Sequence, residues 1–132
     1  AIREAAAARA LPEASALFAP GALAEASLVI PVPPEHRARA GARMTGRVDR
    51  LLITPQTIVV ADIKSDRGVP VNADGVPAGY RAQLGAYAGA LEALYPDRAL
   101  RVCLLWTAEP RLMALDVEEC KKAFTQALGS LP

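Results

Sequence analysis

No run of the 132 residues approaches the roughly 18 consecutive apolar positions that a membrane-spanning helix requires. The amino terminus also lacks the charged start, apolar middle and small-residue cleavage pattern of a secretory signal. Cysteine is scarce: Cys103 lies in an apolar run and Cys120 in a polar helical stretch, neither in a CxxC context, and the single histidine, His36, stands apart from both. Zinc-ligand spacing is therefore missing, and two ordinary thiols fit a reducing, cytoplasmic setting better than secretion. Charge of one sign is absent too. Fifteen basic against fourteen acidic side chains leave a net charge of +1, which excludes a polycation held to nucleic acid by bulk charge alone. Aromatic residues are only 5% of the chain and form no run of rings on which successive bases would stack, so sequence-specific DNA recognition is not supported.

What is present has the balance of one compact domain: 52% hydrophobic and 22% charged residues. Alanine fills 28 positions and arginine outnumbers lysine 12 to 3, so bulky core side chains are few. A chain of this length still buries about 68% of its unfolded surface, enough for one sheet with helices packed on it and too little for a second domain. The sequence AIREAAAARAL opens without methionine in what reads as the middle of a helix. Residues 1–132 are therefore expected to be a single domain cut from a larger chain.

Helix composition over residues 1–11 ends at Pro12, and a second short helix is expected over Ala14 to Phe18. The run AEASLVIPV, from Ala24 to Val32, reads as a strand, and PPEHRARAGAR as a loop that leaves His36 exposed. GRVDRLLIT and TIVVADIK are β-branched, apolar and joined by Pro55-Gln56, the pattern of a hairpin. After a turn-rich stretch from Asp66 to Gly79, Tyr80 to Tyr95 reads as a helix stopped by Pro96. RVCLLWT has the unbroken apolar character of a buried central strand, and RLMAL that of another. Asp116 with Glu119 forms a capping box for a closing helix to Leu128. This order predicts an α/β fold with a mixed central sheet flanked by helices.

A turn centred between Pro55 and Gln56 sets Asp49 opposite Asp62, and the period of two puts Lys64 on the face of Asp62. At ~5 Å, two like charges repel by about 0.8 kcal/mol in water and by about 3 kcal/mol at an effective dielectric near 20. A divalent cation reverses that sign. Two carboxylates with water suit Mg²⁺, or Mn²⁺ in its place, rather than zinc. Lys64 beside them has the chemistry to orient an attacking water or to stabilise charge in phosphoryl transfer. The same charges would equally serve as a surface ion network with Arg47, Arg50 or Lys64. Against that, Asp62 interrupts the otherwise core-like run from Ile58 to Ile63, where a polar group needs a reason. Gln83 and Tyr87, four apart, share one helical face, where they would reach a metal-bound water, a phosphate or Lys64, or where Tyr87 would simply pack with Leu84 and Leu91.

In order, GRVDRLLI, VVADIKSDR and QLGAY resemble the nuclease motifs of the RecB-like branch of the PD-(D/E)xK superfamily. The longer pattern, with an acidic residue in LAEASL, then YPDR and LLWT, is similar to the carboxy-terminal nuclease domains of AddA-type subunits of AddAB helicase-nucleases, over residues 23–116. The resemblance implies a restriction-endonuclease-like core and a Mg²⁺-dependent DNA exonuclease in double-strand break repair and recombination. It places metal ligation on Asp49, Asp62 and the Ile63 carbonyl, action at the scissile phosphate on Lys64, and supporting roles on Gln83 and Tyr87. Glu25 matches an acidic family position, as a further ligand or a strand-edge charge. The implied partners are DNA without sequence preference, a helicase domain of the same chain and a second, AddB-type subunit. The family's metal-binding histidine lies on a helix before the first strand; His36 comes after that strand and does not match it. Arg37, Arg39, Arg43, Arg47 and Arg50 crowd the stretch before the first aspartate and around it, where guanidinium forks would hold DNA phosphates or form a solvated loop.

Overall fold

In the computed structural model, residues 2–36 and 44–130 are described, and five of their segments join in one mixed sheet. Its strands are β1 (Leu23–Ile30), β2 (Met44–Ile53), β3 (Thr57–Lys64), β4 (Ala99–Trp106) and β5 (Arg111–Leu115), hydrogen-bonded in chain order. Neighbours are antiparallel except β3 and β4. A parallel pair needs a long crossover, and it is supplied by helix α2 (Ala78–Leu94), which lies with the closing helix α3 (Val117–Gly129) on one side of the sheet. The other side is covered by α1 (Ile2–Arg9) and the 3₁₀ turn Pro12–Phe18. The short helix expected over Ala14 to Phe18 is a 3₁₀ helix that starts two residues earlier, at Pro12.

The hairpin has the register expected from its turn: Ile53 faces Ile58 and Arg50 faces Ala61. Thr54 and Thr57 close it, the Thr54 N–H donating to the Thr57 carbonyl at 2.8 Å and the Thr57 N–H to Thr54 Oγ1 at 2.9 Å. Strand β4 lies between β3 and β5, and Val102 to Trp106 are all buried, as a strand covered on both faces requires. Asp116 caps α3 by accepting the Glu119 N–H at 2.9 Å. Both cysteines are buried free thiols. Among the described residues, no helix is long and apolar enough to cross a membrane.

The loop after β1 departs from expectation at His36. Rather than exposed, the ring is half-buried beside Gly129, with its Nδ1 out of contact with solvent and without a hydrogen-bond partner. Three of the arginines singled out, Arg37, Arg39 and Arg43, lie outside the described residues.

Helices α2 and α3 meet backbone to backbone at Gly85, where an added Cβ would lie 2.0 Å from the Cys120 carbonyl oxygen. That atom belongs to the α3 backbone, so relief requires the helices to move apart. Gly85→Ala is therefore expected to destabilise by about 1–3 kcal/mol. Gly89→Ala on the same helix meets nothing within 4 Å and should stabilise by roughly 0.5–1 kcal/mol through the lost flexibility of glycine. Urea denaturation of the two variants checks the pair; equal midpoints would contradict the close helix contact.

Candidate active site

Side-chain alternation along β2 breaks at Asp49. Val48 and Leu51, three residues apart, both join the core beneath α2, whereas strict alternation would put them on opposite faces. Across from this break, Glu25 has a left-handed backbone with φ of 53°, and the β1–β2 ladder passes from Ala26–Val48 to Ala24–Arg50 without pairing Glu25 to Asp49. Both strands thus change face together. Arg50 turns to the α1 side, where its Nε donates to the Leu17 carbonyl at 2.7 Å and its guanidinium lies 4.8 Å from the centre of the Phe18 ring. Asp49 turns toward Asp62.

The β2–β3 ladder ends at Arg50–Ala61. Continuing its register would set Val48 opposite Ile63, but the Ile63 N–H instead donates to Asp49 Oδ2 at 2.7 Å. A carboxylate thus replaces a strand carbonyl, and the two strands part around the site. The N–H and C=O of one strand residue point to the same edge, so the Ile63 carbonyl faces the same gap.

Asp62 is 3% exposed. Burial, together with the Asp49 carboxylate, pushes its pKa up to about 6 against the opposing pull of Lys64. Lys64 Nζ lies 2.7 Å from Asp62 Oδ2, an ion pair that holds this buried oxygen. The ammonium donates to Gln83 Oε1 at 3.0 Å, and Gln83 Nε2 donates to the Tyr87 hydroxyl at 3.1 Å. Tyr87 in turn donates to the Arg47 carbonyl at 2.7 Å. Burial and the Asp62 carboxylate raise the phenol to about 12, which keeps it a donor. A relay of polar contacts therefore runs from Asp62 across α2 and back to β2.

Five residues singled out from the sequence, Asp49, Asp62, Lys64, Gln83 and Tyr87, are thus brought into one group. Glu25 is not gathered with them: its side chain is exposed and lies 3.8 Å from the Arg47 guanidinium. Two contributors were not anticipated. Gly46 has no side chain because an added Cβ would lie 2.8 Å from the Tyr87 ring. Tyr80 places its ring centre 4.1 Å from Lys64 Nζ; its spacing of three before Gln83 was the available signal.

The donors toward the gap, two carboxylates and a strand carbonyl, are hard oxygens that suit Mg²⁺ or Mn²⁺. The buried Asp62 carboxylate fits such an ion, since it lies beside a second carboxylate with one ammonium to offset the two. Among the described residues, no three histidine, cysteine, aspartate or glutamate side chains gather as a ligand set. An ion here would depend on water or substrate for the rest of its shell.

The PD-(D/E)XK nuclease superfamily matches residues 2–128, nearly the whole sequence, and the chain belongs to that superfamily. Its mixed five-stranded sheet with flanking helices is the restriction-endonuclease-like fold of such proteins. No curated protein gives a significant match. Among solved structures, one titled "Crystal structure of SSO0001" is similar at 19% identity and a TM-score of 0.43, over 80% of this chain and 50% of that one. This chain therefore spans about half the length of that protein.

A carboxyl whose pKa is raised on folding binds its proton more tightly in the folded chain. Between about pH 4 and about pH 6 the folded state then carries the extra proton, so stability from this group falls as pH rises and is flat above. In metal-free buffer, Asp62→Asn should remove a stability loss of about 3 kcal/mol across that window. Urea midpoints of both proteins at several pH values check this, and parallel curves would count against it.

Proposed function

We propose that this domain is a metal-dependent deoxyribonuclease that hydrolyses phosphodiester bonds. The observation that carries the reading is the buried Asp62 carboxylate, set between a second carboxylate and an ammonium. Asp49, Asp62 and the Ile63 carbonyl would hold Mg²⁺ or Mn²⁺. When bound, such an ion supplies Lewis-acid polarisation of the phosphate and an acidified water as nucleophile. Lys64 directs a fixed positive charge at the phosphate oxygens, where charge builds in the transition state. Gln83 holds Lys64 by its amide oxygen, and Tyr87 ties Gln83 to the β2 backbone. Arg47, exposed at the site's rim, offers a guanidinium to the DNA backbone without reading sequence.

Motif order over residues 23–116 supports a finer reading: an exonuclease module of an AddAB-type helicase-nuclease, joined to a helicase domain and an AddB-type partner subunit, acting in double-strand break repair. A second reading is favoured by the two-carboxylate ligand set, with no third such side chain among the described residues. It is a nuclease-like module that binds DNA or buttresses a partner without cutting.

The test is DNA digestion by the full-length protein with Mg²⁺ or Mn²⁺, any partner nuclease being inactivated. Asp62→Ala should abolish cutting, and Lys64→Ala should lower kcat roughly 10²–10³-fold, as loss of one preorganised charge does elsewhere. Undiminished digestion by Asp62→Ala would hand the site to the non-catalytic reading.

A further inference from the structure

Lys64 is held on a third side that the nuclease motifs do not include. Besides Asp62 at 2.7 Å and Gln83 at 3.0 Å, its ammonium lies 4.1 Å from the centre of the Tyr80 ring. The ring is itself restrained. Its hydroxyl donates to Asp66 Oδ2 at 2.7 Å, and its other neighbour is Trp106, with ring centres 6.2 Å apart at a tilt of 49°. Trp106 is the residue that pairs with Lys64 in the β3–β4 ladder, so β4 backs the tyrosine that covers its neighbour on β3. Tyr80, Gln83 and Tyr87 recur at helical spacing, and this face of α2 bears on Lys64 through its first two members.

The chemistry of the contact differs from that of an ion pair. A lysine side chain loses considerable rotamer freedom when fixed, and a carboxylate that fixes it also cancels its charge and occupies an N–H. An aromatic face attracts the cation through its quadrupole and removes no proton donor. With one N–H given to Gln83 and one directed at Asp62, the Tyr80 ring leaves the third N–H of the ammonium for an incoming oxyanion.

We infer that Tyr80 is a positioning residue for Lys64, its ring moored by Asp66 and backed by Trp106 so that the ammonium is aimed at a phosphate oxygen without a further carboxylate to neutralise it. This rests on the nuclease reading above and adds to it a residue that acts on rate rather than on DNA affinity.

The experiment compares kcat and KM for DNA digestion by the full-length protein and its Tyr80→Leu, Tyr80→Phe, Asp66→Ala and Asp62→Ala variants, with melting temperatures measured alongside. Removing the π-face in Tyr80→Leu should lower kcat roughly tenfold with KM unchanged, the scale of one partly desolvated cation–π contact. Tyr80→Phe keeps the face and should recover kcat to within about threefold of wild type, and Asp66→Ala, which frees the mooring, should match it. If Tyr80→Leu fails to fold, Tyr80→Met takes its place. Wild-type kcat in a leucine or methionine variant that melts normally would overturn the inference. So would Phe as slow as Leu, or a rise in KM at constant kcat. When Asp62→Ala is inactive, such results sink only the role of Tyr80; an active Asp62→Ala sinks the nuclease reading together with it.

Discussion

Burying the carboxyl of Asp62 is the constraint around which this domain is arranged. A carboxylate taken out of water without partners is among the most costly groups a fold can contain, and here only 3% of the residue remains exposed. Its surroundings answer that cost with one cation, Lys64, whose position depends on Gln83, whose orientation depends on Tyr87, whose hydroxyl is anchored on the β2 backbone at Arg47. Gly46 is required because the Tyr87 ring fills the space of a side chain. Helix α2 is held close by α3 through the glycine contact at Gly85. A local electrostatic problem on β3 is thereby linked to the packing of the whole helical layer.

The compensation is incomplete. Lys64 lowers the proton affinity of Asp62, yet burial and Asp49 outweigh it, and the carboxyl settles at about 6. Two acids side by side with one base leave the group short of positive charge. Such a deficit suits a site that takes up a further cation, and it sits where adjacent strands part rather than continue their ladder.

Much of the architecture was legible from local chemistry. Pro55-Gln56 between two apolar runs defined the hairpin and its register, because turn length and burial of one face together allow a single pairing. Asp116 and Glu119 marked the start of the last helix through the capping box alone. The coming together of Asp49, Asp62 and Lys64 followed from pairing and alternation. What escaped is made by contacts distant in sequence. Nothing at Glu25 announces a left-handed backbone, since that conformation usually selects glycine or asparagine and appears here because β1 must follow the swivel of β2. His36 is half-buried beside Gly129 at the carboxy-terminal end of α3, more than ninety residues away. The role of Tyr80 requires knowing that Trp106 stands behind its ring.

The left-handed residue in β1 also bears on what the domain avoids. Among the described residues β1 forms one border of the sheet, and it carries Leu23 and Val29 in exposed positions. A straight eight-residue border with apolar side chains is a template on which a second chain adds as a further strand, the first step toward aggregation. Glu25 interrupts that template near its start: the backbone turns out of the pleat, and the residue there is charged and solvated. The kink in β1 that accompanies the change of face beside Asp49 therefore also shortens the stretch on which an intruding strand would find matching hydrogen bonds.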